Sequence, residues 1–192
     1  MSGPLDSAKA DLREQVRERL KALSPQQREV ASLQICSRLR QQQIWKSARS
    51  ILFFAPLPAE PDVWPLLEEA VLADKTVALL RFSSPTQSYQ AAVVQNLQAD
   101  LQPGQFGIRE PSASCAEFPL NRLDLVLVPG VAFQANGCRL GRGKGFYDRL
   151  LAAVRGRKCG VAFDEQIVSA IPAGPLDMGV NCIVTPTRWI ET

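Results

Sequence analysis

The sequence predicts an α/β fold, a mostly parallel sheet with helices on both faces, and three observations predict it. Short apolar runs such as Ser50–Phe54 (SILFF) and Leu125–Val128 (LVLV) are continuous, as in strands buried on both faces. These runs alternate with segments whose apolar residues recur at helical spacing. Proline and glycine stand where the runs stop, as at Pro129-Gly130. At 192 residues with 46% hydrophobic content, the chain is expected to form one domain, 1–192, around a sizeable core.

Residues 6–23 carry Leu12, Val16, Leu20 and Leu23 at helical spacing, with charged residues opposite. Ser24-Pro25-Gln26-Gln27 restarts the chain, with Ser24 as N-cap, Pro25 at the first helical position and Gln27 able to close a capping box. A second helix then runs to about Gln42, with Val30, Leu33 and Leu39 expected inward. Ser50–Phe54 is a buried strand followed by the stiff loop APLPAEPD, and Asp62 is placed to cap a helix reaching Ala73, with Val63, Leu66, Leu67 and Ala70 on its buried side. Thr76–Arg81 reads as a strand broken at Ser84-Pro85, and Tyr89–Val94 as another β-prone run. Residues 96–122, including FGIREP, show no period and read as a long irregular connector. The strand Leu125–Val128 leads through a glycine-rich loop into a helix over Phe146–Val154. Lys158–Phe163 and Val180–Thr185 are two further strands, separated by a turn and a short helical stretch around Ile171-Pro172 and Asp177.

The glycine-rich loop is the most informative stretch. Gly137, Gly141, Gly143 and Gly145 interleave with Arg139, Arg142 and Lys144 between a buried strand and a helix. That arrangement offers backbone N–H groups and a positive helix end to an anion, with guanidinium and ammonium groups for charge-assisted bonds. It reads as a phosphate cradle; a flexible basic surface loop is the competing reading. Walker A is excluded, because Cys138 stands where the first glycine belongs and Gly145 follows the lysine. The dinucleotide G-x-G-x-x-G fails in both frames at Phe146 and Asp148. In parallel α/β sheets ligands sit beyond the carboxyl ends of strands, where this loop falls.

Composition narrows the chemistry. There is no histidine, which excludes Ser-His-Asp and Cys-His nucleophile systems and any Cys/His zinc site. The five cysteines are scattered, with no C-x-x-C, and read as reduced thiols. No apolar run approaches the ~18–20 residues of a membrane span, and the N-terminus lacks a signal-peptide core, so a cytoplasmic protein is expected, with no membrane partner. Net charge is only +3, but Arg139, Arg142, Lys144, Arg149, Arg155, Arg157 and Lys158 are concentrated against the single acid Asp148. This favours an anionic ligand.

PGVAFQANGCRLGRGKGFYDRLL resembles the signature of the 5-formyltetrahydrofolate cyclo-ligase (methenyltetrahydrofolate synthetase) family. Weaker pieces arrive in the same order along nearly the whole chain: Lys-x-x-Leu-Arg at Lys9–Arg13, Glu60 after the first strand, FGIREP, and the Asp177 region. The resemblance implies a NagB/RpiA/CoA transferase-like fold and an ATP- and Mg²⁺-dependent closure of 5-formyltetrahydrofolate, with or without a polyglutamate tail, to 5,10-methenyltetrahydrofolate. It puts Lys9, Arg13 and the run Arg139, Leu140, Gly141, Arg142, Gly143, Lys144, Gly145, Phe146 and Tyr147 on ATP. Ala55, Glu60 and Arg142 to Phe146 would face the folate, Arg142, Lys144 and Tyr147 would be catalytic, and Asp148 and Asp177 fall on magnesium positions. Three positions depart from the family pattern: Gln134 for Asp, Phe146 for the first of a Tyr-Tyr pair, and Leu176 for a His before Asp177. Phe146 has no hydroxyl to contribute.

The residues suit that chemistry on their own terms. A formyl oxygen is a poor leaving group until ATP phosphorylates it, after which the neighbouring folate amine attacks and phosphate departs. Such a route needs positioning and charge neutralisation more than a protein nucleophile. Read without the family, Asp148 is a helix-dipole partner, Tyr147 a packing residue, and Lys9 and Arg13 a solvated helix face, and a turn cap is the competing reading of Asp177. Two other functions compete: another ATP- or sugar-phosphate-dependent enzyme on the same fold, and a nucleic-acid patch built on the basic cluster. Glycines interleaved with the basic residues, and a pI of only 8.7, weigh against nucleic acid.

Overall fold

Apolar residues three and four apart fold residues 4–47 into α1 (Pro4–Lys21), α2 (Pro25–Gln41) and α3 (Gln43–Ser47). The computed structural model describes residues 4–83, 88–104 and 107–192, so the expected break at Ser84-Pro85 and Phe106 of FGIREP lie outside the described residues. The capping box forms as expected: the Gln27 N–H donates to Ser24 Oγ at 3.2 Å and the Ser24 N–H to Gln27 Oε1 at 2.8 Å. The buried face of α2 is not the expected one. Ser32, Ile35, Cys36 and Leu39 turn inward, while Val30 and Leu33 are exposed. The hydroxyl of Ser32 donates to Arg28 O at 2.7 Å and accepts from the Asp62 N–H at 3.0 Å, so this polar residue is satisfied inside and ties α2 to the loop before the next helix.

β1 (Ser50–Leu52) is followed by α4 (Trp64–Leu72), with Leu66, Leu67 and Ala70 buried. Asp62 binds the Trp64 N–H at 2.9 Å, but the N-cap position belongs to Val63, one residue later than expected. β2 (Thr76–Ser83) and β3 (Ser88–Val94) pair antiparallel. The stretch read as irregular contains a small hairpin of β4 (Leu101–Pro103) and β5 (Arg109–Pro111), which places part of FGIREP in a strand. After β6 (Leu125–Val128) comes a second hairpin, β7 (Ala132–Gln134) and β8 (Arg139–Leu140), inside what reads in sequence as loop. α5 (Phe146–Ala153), β9 (Arg157–Val161), β10 (Ile167–Val168), β11 (Cys182–Val184) and β12 (Trp189–Glu191) complete the chain. The helix expected near Ile171 is absent among the described residues, where a 3-10 turn at Asp164–Gln166 and β10 occupy the connection instead.

The principal sheet has seven strands in the order β12-β11-β9-β6-β1-β2-β3. Its inner pairs are parallel and both edge strands antiparallel, as the sequence predicts in the main. Period-two alternation divides the core into two layers. Leu125 and Leu127 pack with α1, α2, α3 and α4, whereas Val126 and Val128 pack with Leu150 and Leu151 of α5. Asp124 fixes the amino ends of β1 and β6, its Oδ2 accepting the Arg49 and Ser50 N–H groups at 2.9 Å. Among the described residues no helix is long and apolar enough to cross a membrane.

Candidate active site

The sheet order reverses between β1 and β6: from β1 the chain builds outward to β2 and β3, then returns to the other side of β1. In open parallel sheets such a reversal, outside the carboxyl ends of the two strands, is where ligands bind. The loop carrying Ala55 and Glu60 leaves β1 at this edge, and the Pro129-Gly130 turn leading to the glycine loop leaves β6 beside it. Gln166, buried in the 3-10 turn after β9, donates to Gly130 O at 2.8 Å and Val131 O at 3.1 Å and accepts the Phe163 N–H at 2.8 Å. It holds the turn after β6 against the turn after β9.

Gly143 and Gly145 adopt φ of 103° and 63°, a region that excludes most side chains, and Gly145 caps α5 without a side-chain hydrogen bond. The first N–H groups of α5 thus open toward the loop at the positive end of the helix. Around them stand Arg139, from β8, and two residues of α1. Arg13 Nε donates to Gly141 O at 2.9 Å, and Lys9 Nζ lies 2.6 Å from Asp177 Oδ2. Arg139 is buried; it reaches Asp148 Oδ1 at 2.7 Å, and its guanidinium lies 5.6 Å from the Tyr147 ring centre. Arg142 is the exposed member and pairs with Glu60 Oε1 at 2.8 Å, while Glu60 Oε2 accepts the Leu57 N–H at 3.0 Å. Burial first, and then the charge of Glu60, push the Tyr147 phenol well above the ordinary tyrosine range against the pull of Arg139, so it stays a neutral donor.

Asp148 and Asp177 come to the same edge, joined through the Met178 N–H, which donates to Asp148 Oδ1 at 3.2 Å. Asp177 also caps its turn, accepting the Gly174 N–H at 2.6 Å. Partial burial pushes its carboxyl up, but the Gly174 N–H and the Lys9 ammonium outweigh that and hold it below the ordinary range. No group of three or more candidate metal ligands occurs among the described residues, but magnesium needs only one or two carboxylates. Both of these bonds to Asp148 fall on Oδ1, and its Oδ2 is used by neither Arg139 nor Met178.

Residues 6–186 match the profile of the 5-formyltetrahydrofolate cyclo-ligase family. The chain belongs to that family. It is 31% identical to the 5-formyltetrahydrofolate cyclo-ligase of Escherichia coli (strain K12), covering 92% of this chain and 99% of that protein. The Mus musculus 5-formyltetrahydrofolate cyclo-ligase is 28% identical, covering 92% of this chain and 93% of that protein. The NMR structure of Aquifex aeolicus 5,10-methenyltetrahydrofolate synthetase superposes with a TM-score of 0.86 at 33% identity, covering 95% of this chain and 92% of that one.

Against the cyclo-ligase residues expected from sequence, the structure gathers Lys9, Arg13, Glu60, Arg139, Tyr147, Asp148 and Asp177 around the glycine loop. Leu140 is buried in β8 and acts through packing, and Ala55 packs against the core at the start of the β1 loop. Phe146 closes an aromatic run, its ring centre 5.1 Å from that of Tyr89, which lies 5.3 Å from that of Phe82. It anchors the start of α5 to the β2–β3 pair. Gln134 accepts the Ile171 N–H at 3.2 Å, and Leu176 is exposed beside Asp177. The basic cluster divides: Arg155, Arg157 and Lys158 lie past the far end of α5, by the amino ends of β6 and β9, where Arg157 pairs with Glu191 at 2.7 Å. Gln166 carried no periodic signal in sequence, and Tyr89 was legible only as part of a β-prone run; the Asn136-Gly137 turn was the available clue to the β7–β8 hairpin.

Proposed function

We propose that the protein closes 5-formyltetrahydrofolate to 5,10-methenyltetrahydrofolate with ATP, releasing ADP and phosphate, as one cyclo-ligase domain spanning 1–192. The observation that carries this reading is the convergence of Lys9, Arg13, the glycine loop and Glu60 at the edge where the strand order reverses between β1 and β6. In the proposed reaction the formyl oxygen takes the γ-phosphoryl group of ATP, the neighbouring folate nitrogen attacks the formyl carbon and loses its proton, and phosphate leaves with that oxygen. Arg13, Arg142 and Lys144 neutralise phosphate charge, and the N–H groups opening α5 receive phosphate oxygens. Glu60 and Ala55 orient the folate ring, and the neutral Tyr147 phenol donates a hydrogen bond without acting as a base. Holding the γ-phosphoryl group of ATP in line with the formyl oxygen contributes to the acceleration.

Asp148 and Asp177 fit a magnesium ion by their oxygen ligands and their position beside the loop. When bound, magnesium offsets charge on the phosphate oxygens. A reducing, cytoplasmic setting belongs to the same reading, and the five free thiols suit it. Purified protein with 5-formyltetrahydrofolate and MgATP should form the methenyl chromophore and ADP in equal amounts. Neither product appearing would overturn the assignment, and turnover of ATP with a different acceptor would redirect it to another enzyme on the same fold.

A further inference from the structure

We propose that Arg142 couples the two substrates: paired with Glu60, it releases that carboxylate to the folate when a triphosphate reaches the glycine loop. This rests on the proposed function and adds to it a thermodynamic link between the two sites. Both oxygens of Glu60 are engaged, Oε1 by Arg142 at 2.8 Å and Oε2 by the Leu57 N–H at 3.0 Å. A folate ring seeking that carboxylate with its own N–H donors meets a guanidinium already there. The two partners differ in freedom. The Glu60 side chain is 10% exposed and the Arg142 side chain 55%, with a glycine on either side of the arginine in the chain. Glu60 is the fixed member and Arg142 the one that swings.

The exchange follows from the strength of the competing contacts. A half-exposed ion pair holds weakly, whereas a triphosphate offers a guanidinium several charge-assisted bonds at once. Once Arg142 turns to phosphate, Glu60 is a nearly buried carboxylate without its counter-ion, an unfavourable state that folate N–H donors relieve. Nucleotide therefore tightens folate, and linkage requires folate to tighten nucleotide by the same factor. Lys9–Asp177 and Arg139–Asp148 repeat the pattern of an expected nucleotide cation on an expected metal carboxylate. Their cations are 14% and 2% exposed, so neither has the freedom of Arg142.

Calorimetric titration of 5-formyltetrahydrofolate, with and without a saturating β,γ-methylene analogue of ATP, tests the coupling in the wild type and in Arg142→Met. Circular dichroism checks that the variant is folded. In the wild type the analogue should lower the folate Kd at least about fivefold, the lower end of ordinary site-to-site coupling. In Arg142→Met, folate should bind more tightly than in the wild type when nucleotide is absent, and the analogue should change its Kd little. Weaker folate binding by nucleotide-free Arg142→Met would leave Arg142 the folate ligand that the family resemblance implies and overturn the proposal, as would coupling that survives the substitution. Turnover by the same wild-type preparation separates the two failures. Product formed with nucleotide-independent folate binding removes the coupling and leaves the function, whereas no product removes both.

Discussion

Arg139 shows how a residue expected on the ligand can also be built into the fold. Its side chain is 2% exposed, and its Nε has no hydrogen-bond partner among the described residues, while Nη2 is held by Asp148. Asp148 is thus the counter-ion of a buried cation as well as the first candidate for magnesium. Asp148→Asn should raise the Mg²⁺ concentration needed for half-maximal activity and also lower stability by about 1–3 kcal/mol, because a charged partner of Arg139 is lost. Asp177→Asn should raise the Mg²⁺ requirement with a smaller loss of stability, its partner Lys9 being less buried than Arg139. Magnesium titrations of activity beside thermal melts decide between the roles; an unshifted requirement in Asp177→Asn leaves that residue a turn cap. Sequence located these acids but not their partners. Which cation faces which carboxylate depends on chain segments brought together from 168 residues apart, as for Lys9 and Asp177.

At the scale of elements, the strands of the parallel core and four of the five helices among the described residues were legible, because apolar runs and periodicities of adequate length carry their own signal. The face of α2 was not. Its apolar residues fall on two sides, and burial of Ser32 through two hydrogen bonds selects the Ile35, Cys36 and Leu39 side. Ile35→Ala should therefore cost about 2–4 kcal/mol in denaturant unfolding. Leu33→Ala, on the face expected inward from sequence, should stay within about 0.5 kcal/mol. Equal losses at both positions would contradict the observed face. The short β7–β8 hairpin escaped for a different reason: two or three residues are too few to show a period, and four glycines masked it as loop.

For the whole molecule, the absence of histidine shapes the response to pH. Burial raises the carboxyl of Asp164, but hydrogen bonds from Thr185 and Thr187 and the Arg188 guanidinium outweigh it, and Asp177 is lowered in the same way by Gly174 and Lys9. A carboxyl lowered on folding contributes stability above its unfolded pKa of about 3.9, and that stability is lost as pH falls through the folded value. The unfolding temperature should accordingly stay nearly level from about pH 8 to pH 5 and drop below about pH 4. A step near pH 6.5, where only a histidine would ordinarily titrate, would contradict this.

The topology sets the site, since reversal of strand order at β1 and β6 brings residues from α1, the β1 loop and the glycine loop to one edge. The central claim is that this edge activates a formyl oxygen with ATP. It is tested most directly by supplying 5-formyltetrahydrofolate labelled with ¹⁸O in the formyl group and analysing the released phosphate by mass spectrometry. If the formyl oxygen is phosphorylated before the ring closes, each phosphate released carries one ¹⁸O atom. Methenyl product formed together with unlabelled phosphate would contradict the account.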